Sequence, residues 1–167
     1  NAATTINMVL MKGVTTVGLS SSKDTGDTVL TNVDTLDTVQ YKQGSGDLTV
    51  TYAAAVVAGA ADSVNVHVDG QTAGTLTLAS IETLNFTASG TKSTITTVTA
   101  SSATAMTLSG DVKLTIGTAP ATLQSIDLSA STGGSSITIA PSSVLAVTGG
   151  SGNDALNLTT TLSTLTS

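Results

Sequence analysis

Ser63-Val64-Asn65-Val66-His67-Val68, closed by Asp69-Gly70, is the stretch on which the fold turns. Its valines alternate with polar residues at a period of two, the spacing of a half-buried strand. Asp-Gly then ends the run with a turn. The pattern continues downstream in Thr75-Leu76-Thr77-Leu78, Ile81 to Thr87, Thr94 to Thr99, Ala105 to Leu108 and Val112 to Ile116. It goes on through Ser125 to Ser129, Ile137 to Ile139, Val144 to Val147 and Ala155 to Leu158. Each run predicts a short strand with one apolar face and one Thr, Ser or Asn face. The separators are turn residues: Ser89-Gly90, Ser109-Gly110-Asp111, Gly133-Gly134 and Gly149-Gly150.

Composition agrees with an all-β chain. The sequence has 167 residues, enough for one domain with a core or two small ones. Roughly a third of them are Thr or Ser, there is one Phe, and there is no Trp and no Cys. Thr, Val and Ile are stiff at the first side-chain torsion and suit a pleated surface. Strands recurring about every ten residues fit a β-sandwich or a parallel β-solenoid. Two features favour the parallel β-helix. Apolar positions repeat at roughly thirty residues (Val98, Leu128, Leu158; Leu84, Leu114, Val144), which predicts a coil of three strands. A phrase also recurs in Thr31 to Asp37, Ala79 to Asn85 and Gln124 to Leu128. Residues 62–167 are therefore expected to be solenoid coils. Residues 1–61 are expected to be a less regular β-rich segment, with Ile6 to Leu10 and Val14 to Leu19 as strands. Ala-rich Tyr52 to Ala61 reads as a short helix or a buried strand.

The net charge is −6, with five lysines, no arginine, and aspartate as every acid but Glu82. Such a chain lacks the positive footprint that nucleic acid requires. The longest apolar run, Ala53 to Ala61, is far too short to span a bilayer, so no membrane insertion is expected. With no initiator Met and Thr164-Leu165-Thr166-Ser167 at its end, the sequence is expected to be a piece of a longer protein.

The chemistry-bearing stretch is Gly149-Gly150-Ser151-Gly152-Asn153-Asp154-Ala155-Leu156-Asn157. It fits G-G-x-G-x-D-x-U-x, the calcium-binding nonapeptide of RTX proteins. Its glycines permit a tight turn whose carbonyls point at an ion. Gly149 and Ser151 would offer carbonyl oxygens, and Asp154 the hard anionic oxygen that Ca2+ prefers. Leu156 would turn inward on a strand. One such turn supplies only part of the six to eight oxygens calcium takes, and Thr132-Gly133-Gly134-Ser135, a stretch that could sit beside it, carries no Asp. Weaker echoes are Asp24-Thr25-Gly26-Asp27-Thr28-Val29 and Gly44-Ser45-Gly46-Asp47-Leu48, with Asp62 and Asp111 also preceding strands. Of these, Asp24 with Asp27 forms the best second metal candidate; taken singly, each reads as a solvated turn.

Catalysis is not expected. His67 is the only histidine, and the valines on either side predict that it faces solvent with Asn65 and Asp69. There is no G-x-S-x-G elbow, and zinc lacks ligands. A polysaccharide lyase is the enzyme class weighed for this architecture; the scarcity of Lys, Arg and aromatic rings argues against it.

The nonapeptide, the V-D-T-L and I-E-T-L-N phrases and the Thr/Ala/Ser/Gly composition together resemble the RTX-type surface-layer (S-layer) proteins of Gram-negative bacteria such as Caulobacter. The resemblance implies type I secretion and an extracellular location on the cell surface. It further implies self-assembly into a calcium-dependent two-dimensional lattice, with lipopolysaccharide as the anchoring partner. The chain departs from that family in lacking tandem nonapeptides. An RTX adhesin or carbohydrate-binding solenoid segment is the alternative.

Overall fold

A computed structural model describes residues 3–23, 26–36, 38–141 and 144–159, together with the backbone of Leu165–Thr166. It is all β, and the strands fall into two sheets. One holds β1 (Thr4–Asn7), β3 (Thr28–Val33), β5 (Leu48–Tyr52), β7 (Thr75–Leu78), β9 (Ser93–Thr99), β11 (Leu114–Thr118), β13 (Ser135–Ile139) and β15 (Ala155–Leu158). The other holds β2 (Thr16–Ser20), β4 (Thr38–Lys42), β6 (Ser63–Asp69), β8 (Thr83–Ala88), β10 (Ala105–Gly110), β12 (Ser125–Ser131), β14 (Leu145–Thr148) and β16 (Leu165–Thr166). The chain passes alternately from one to the other, and each strand pairs in parallel with the strand two places along. This is the expected parallel β-solenoid.

Its coil differs from the one the sequence suggested. A coil contains two strands, and side chains in register across neighbouring coils lie 20 or 22 residues apart in much of the stack. A longer coil of 28 residues sits near the middle. The thirty-residue repeat spans three strands, which is one and a half coils, and so lands on the opposite sheet. Val98 is in β9 of the odd sheet, whereas Leu128 is in β12 of the even sheet. The recurring phrase is likewise offset. Leu84 of the second copy stacks with Met106 and then Ile126, two residues out of step with the phrase.

Inward residues of the two sheets form one continuous core. Val64, Val66 and Val68 lie beside Leu84, Phe86 and Ala88 in the even sheet, facing Leu48, Leu76, Ile95, Leu114 and Ile137 of the odd sheet. Packed sheets leave about 10 Å between them, a gap that aliphatic side chains fill from both sides. That narrow, repeated slot explains a core with one Phe and no Trp. Val, Leu and Ile recur along the stack, and Tyr41, Tyr52 and Phe86 are the rings buried among them.

Pairing runs without a break across residue 61, because β4 pairs with β6 and β5 with β7. Beyond Tyr52, the Ala-rich stretch to Ala61 is the loop that lengthens this coil, neither helix nor strand. Its small side chains offer little to bury. No helix among the described residues is long and apolar enough to cross a membrane.

Candidate functional site

Two kinds of turn connect the sheets, and they differ in chemistry. Turns leading from an even strand to the next odd strand hold most of the 16 glycines. We call this side of the solenoid the glycine edge. Gly70, Gly90, Gly133, Gly134 and the nonapeptide all fall on it. The opposite edge carries both prolines, Pro120 and Pro141.

The nonapeptide forms the turn between β14 and β15. Its glycines at 150 and 152 press on the preceding coil. A Cβ at Gly150 would collide with the carbonyl oxygens of Leu128 and Ser131, and one at Gly152 with the backbone of Gly134. Gly149 faces open space. Leu156 turns inward as the motif requires and packs against the core, in register with Ile137.

Asp154 is where the turn closes. Its Oδ2 accepts a hydrogen bond from the Gly150 amide at 2.8 Å, and its Oδ1 accepts one from the Ser135 hydroxyl at 2.7 Å. The carboxylate thus ties its own turn to the coil before it. A carboxylate has about four lone-pair positions, and these bonds use two of them. Among the described residues, no three His, Cys, Asp or Glu side chains come together as a metal cluster. A calcium ion at this turn would have one carboxylate to draw on, plus turn carbonyls such as those of Gly149 and Ser151. That is part of a shell of six to eight oxygens. The neighbouring turn contributes Ser135, a hydroxyl, in the place where a second carboxylate would complete more of it.

Other acids on this edge do similar work. Asp47 Oδ1 accepts from the Thr75 amide at 2.6 Å, and Asp69 Oδ1 accepts from the Thr91 amide at 2.9 Å. In both cases the donor belongs to the next coil. Each carboxylate therefore satisfies a backbone N–H that a turn leaves unpaired. Asp27 and Asp111 are exposed on the same edge. Asp27 and Asp154 lie near opposite ends of the stack, some six coils or ~30 Å apart at ordinary strand spacing, and are not brought together. Asp24 lies outside the described residues.

Asp62 is on the opposite edge. Its amide donates to Glu82 Oε2 at 2.9 Å, and its own Oδ2 is buried without a hydrogen-bond partner. His67 lies on the outer face of β6, and its Nε2 is 2.6 Å from Ser89 Oγ. Further along this face runs a polar ladder in which Thr107 Oγ1 donates to Asn85 Oδ1 at 2.9 Å and Asn85 Nδ2 donates to Ser63 Oγ at 2.8 Å. Asp127, on the same face, accepts the Ser129 amide, which holds its carboxyl below the ordinary carboxylate value.

The sequence did not point to one further feature, a groove of about 350 Å³ where the odd sheet meets the proline-bearing edge. Thr118, Ala119 and Pro120 line it, together with Thr99 of β9 and Thr138 of β13. No charged residue lines it.

No protein-family model, no curated protein and no solved structure matches the chain.

Proposed function

We propose that this chain is a structural module of a bacterial surface layer. It is an extracellular β-solenoid that calcium stiffens and that associates with its own copies in a two-dimensional lattice, with lipopolysaccharide as its anchor. The observation that carries the reading is the nonapeptide turn seated on the glycine-rich turn of the preceding coil, with Asp154 reaching Ser135 across the gap. Calcium would supply a doubly charged centre that draws the carboxylate and carbonyl oxygens of adjacent turns together. Asp154 and the carbonyls of Gly149 and Ser151 are the groups that would hold it. An ion bound only by the folded turn stabilises the fold by mass action. Asp47 and Asp69 support a structural role for the edge, since they already join one coil to the next.

Calorimetric calcium titration of the chain and of Asp154→Ala tests the site. We expect a binding isotherm that the substitution weakens at least tenfold, together with a calcium-dependent rise in Tm that it removes. Binding of unchanged stoichiometry and affinity in the variant would sink the assignment. Electron microscopy in calcium tests the lattice, which should appear as ordered sheets.

The uncharged groove favours a second reading, a solenoid segment that binds carbohydrate. Retention on an insoluble polysaccharide, lost when Thr118→Trp fills the groove, would mark that role.

A further inference from the structure

The two broad faces of the solenoid are unequal in charge. The even sheet carries Lys42, His67, Asp69 and Asp127. The odd sheet, across all eight of its strands, contains no Asp, Glu, Lys or His. At the middle of the sheet its outward positions are threonines in ranks. Thr49, Thr77 and Thr99 are in register on β5, β7 and β9. Thr75, Thr97 and Thr118 form a second rank on β7, β9 and β11. Each side chain offers a methyl and a hydroxyl group, and none is ionised. The other described charges lie on the two edges or the even face.

We propose that the odd sheet is the docking face for a second copy of this chain, packed sheet on sheet about a two-fold axis. The inference rests on the self-association in the proposed function and names the surface responsible. In a two-fold contact the same patch meets itself, so a charge near the axis approaches its own copy and any other charge must find an opposite partner or be desolvated alone. For a molecule of net charge −6, the patch without charge is the one that escapes both penalties. The even face carries Lys42 and Asp69 in register and Asp127 farther along, charges that a sheet-on-sheet contact there would have to desolvate. Area is consistent as well. Eight strands ~4.8 Å apart and about five residues long present roughly 600 Å² per copy, or ~1,200 Å² in all, the lower bound for a specific interface. β7 and β9 lie at the middle of the sheet, which places Thr77 and Thr99 near the axis.

Sedimentation velocity on the chain in calcium, from micromolar to millimolar concentration, tests this. A concentration-dependent dimer is expected. Thr77→Glu and Thr77→Lys should each weaken it at least tenfold, while their equimolar mixture should restore it, because opposite charges then meet across the axis. Thr87→Glu on the even face should leave dimerisation unchanged, and circular dichroism would confirm that all three variants keep the fold. A chain that stays monomeric, or one disrupted by Thr87→Glu and indifferent to charge at Thr77, overturns the proposal. A monomer that instead co-sediments with insoluble polysaccharide overturns it in favour of a carbohydrate platform. Dimers without ordered sheets would sink the surface-layer reading and leave this contact standing. Ordered sheets that survive charge at Thr77 would do the reverse.

Discussion

Tyr41 sends its hydroxyl into the core, where Oη donates to the Gly46 carbonyl at 2.6 Å. Space for it exists because Gly74, at φ +102°, has no Cβ to strike that oxygen. Burial first, and then the Asp47 carboxylate, push the phenol well above the ordinary tyrosine value. The folded chain therefore keeps Tyr41 neutral at a pH where the unfolded chain ionises it. This stability is fully present below about pH 10 and falls as pH rises further, by at most ~1.4 kcal/mol per unit. Tyr41→Phe leaves the Gly46 carbonyl unpaired and should reduce stability at pH 8 by about 1 kcal/mol. Between pH 10 and 12 the variant should lose less stability than the parent. Urea unfolding at both ends of that range checks the sign, and parallel losses would refute it. None of this was legible in the sequence. A tyrosine on an alternating strand reads as core, but its hydroxyl's partner depends on a turn that only the coil geometry brings near.

Turns on the glycine edge repeat one backbone conformation. Ser21, Gln43, Gly70 and Gly90 follow register-matched strands, and their φ values are +59°, +52°, +64° and +67°. Glycine adopts this left-handed region freely, whereas an L side chain is strained there by roughly 1–2 kcal/mol. Replacing the exposed Gln43 with glycine should stabilise the chain by about 0.5–1 kcal/mol, part of the relief being offset by the freer unfolded chain. Thermal unfolding of Gln43→Gly against the parent measures this, and a lower Tm would contradict it. The edge also held the signal that yields the correct coil. Gly70, Gly90 and Gly110 recur after every second strand, whereas the opposite turns at Ala79-Ser80 and Ala100-Ser101 lack glycine. Strand positions from Ser63 onward were legible to within about two residues, because the alternating runs from β6 to β13 each have a buried face.

Across the whole molecule, every coil rests on its neighbours, and stability is distributed as in a one-dimensional stack. β1 and β15 pair on one side only and keep exposed side chains, while β6 to β12 are covered on both sides. Hydrogen exchange should be slowest in β6 to β12 and fastest in β1 and β15, with intermediate rates between. Uniform protection would instead mark a single cooperative unit. The sequence by itself determined that the chain is all β, that its strands alternate in burial, and that Gly149 to Asn157 is a turn leading into a strand. Those are local properties, set by side-chain periodicity and backbone freedom. The tertiary structure alone decided that two strands make a coil, that the scattered Gly-Asp turns share one edge, that Asp154 spends its oxygens on Gly150 and Ser135, and that one broad face is free of charge. Apart from the Gly150 bond, each of these depends on which residues meet across coils, and coils of 19 to 28 residues bring together positions that no local pattern links.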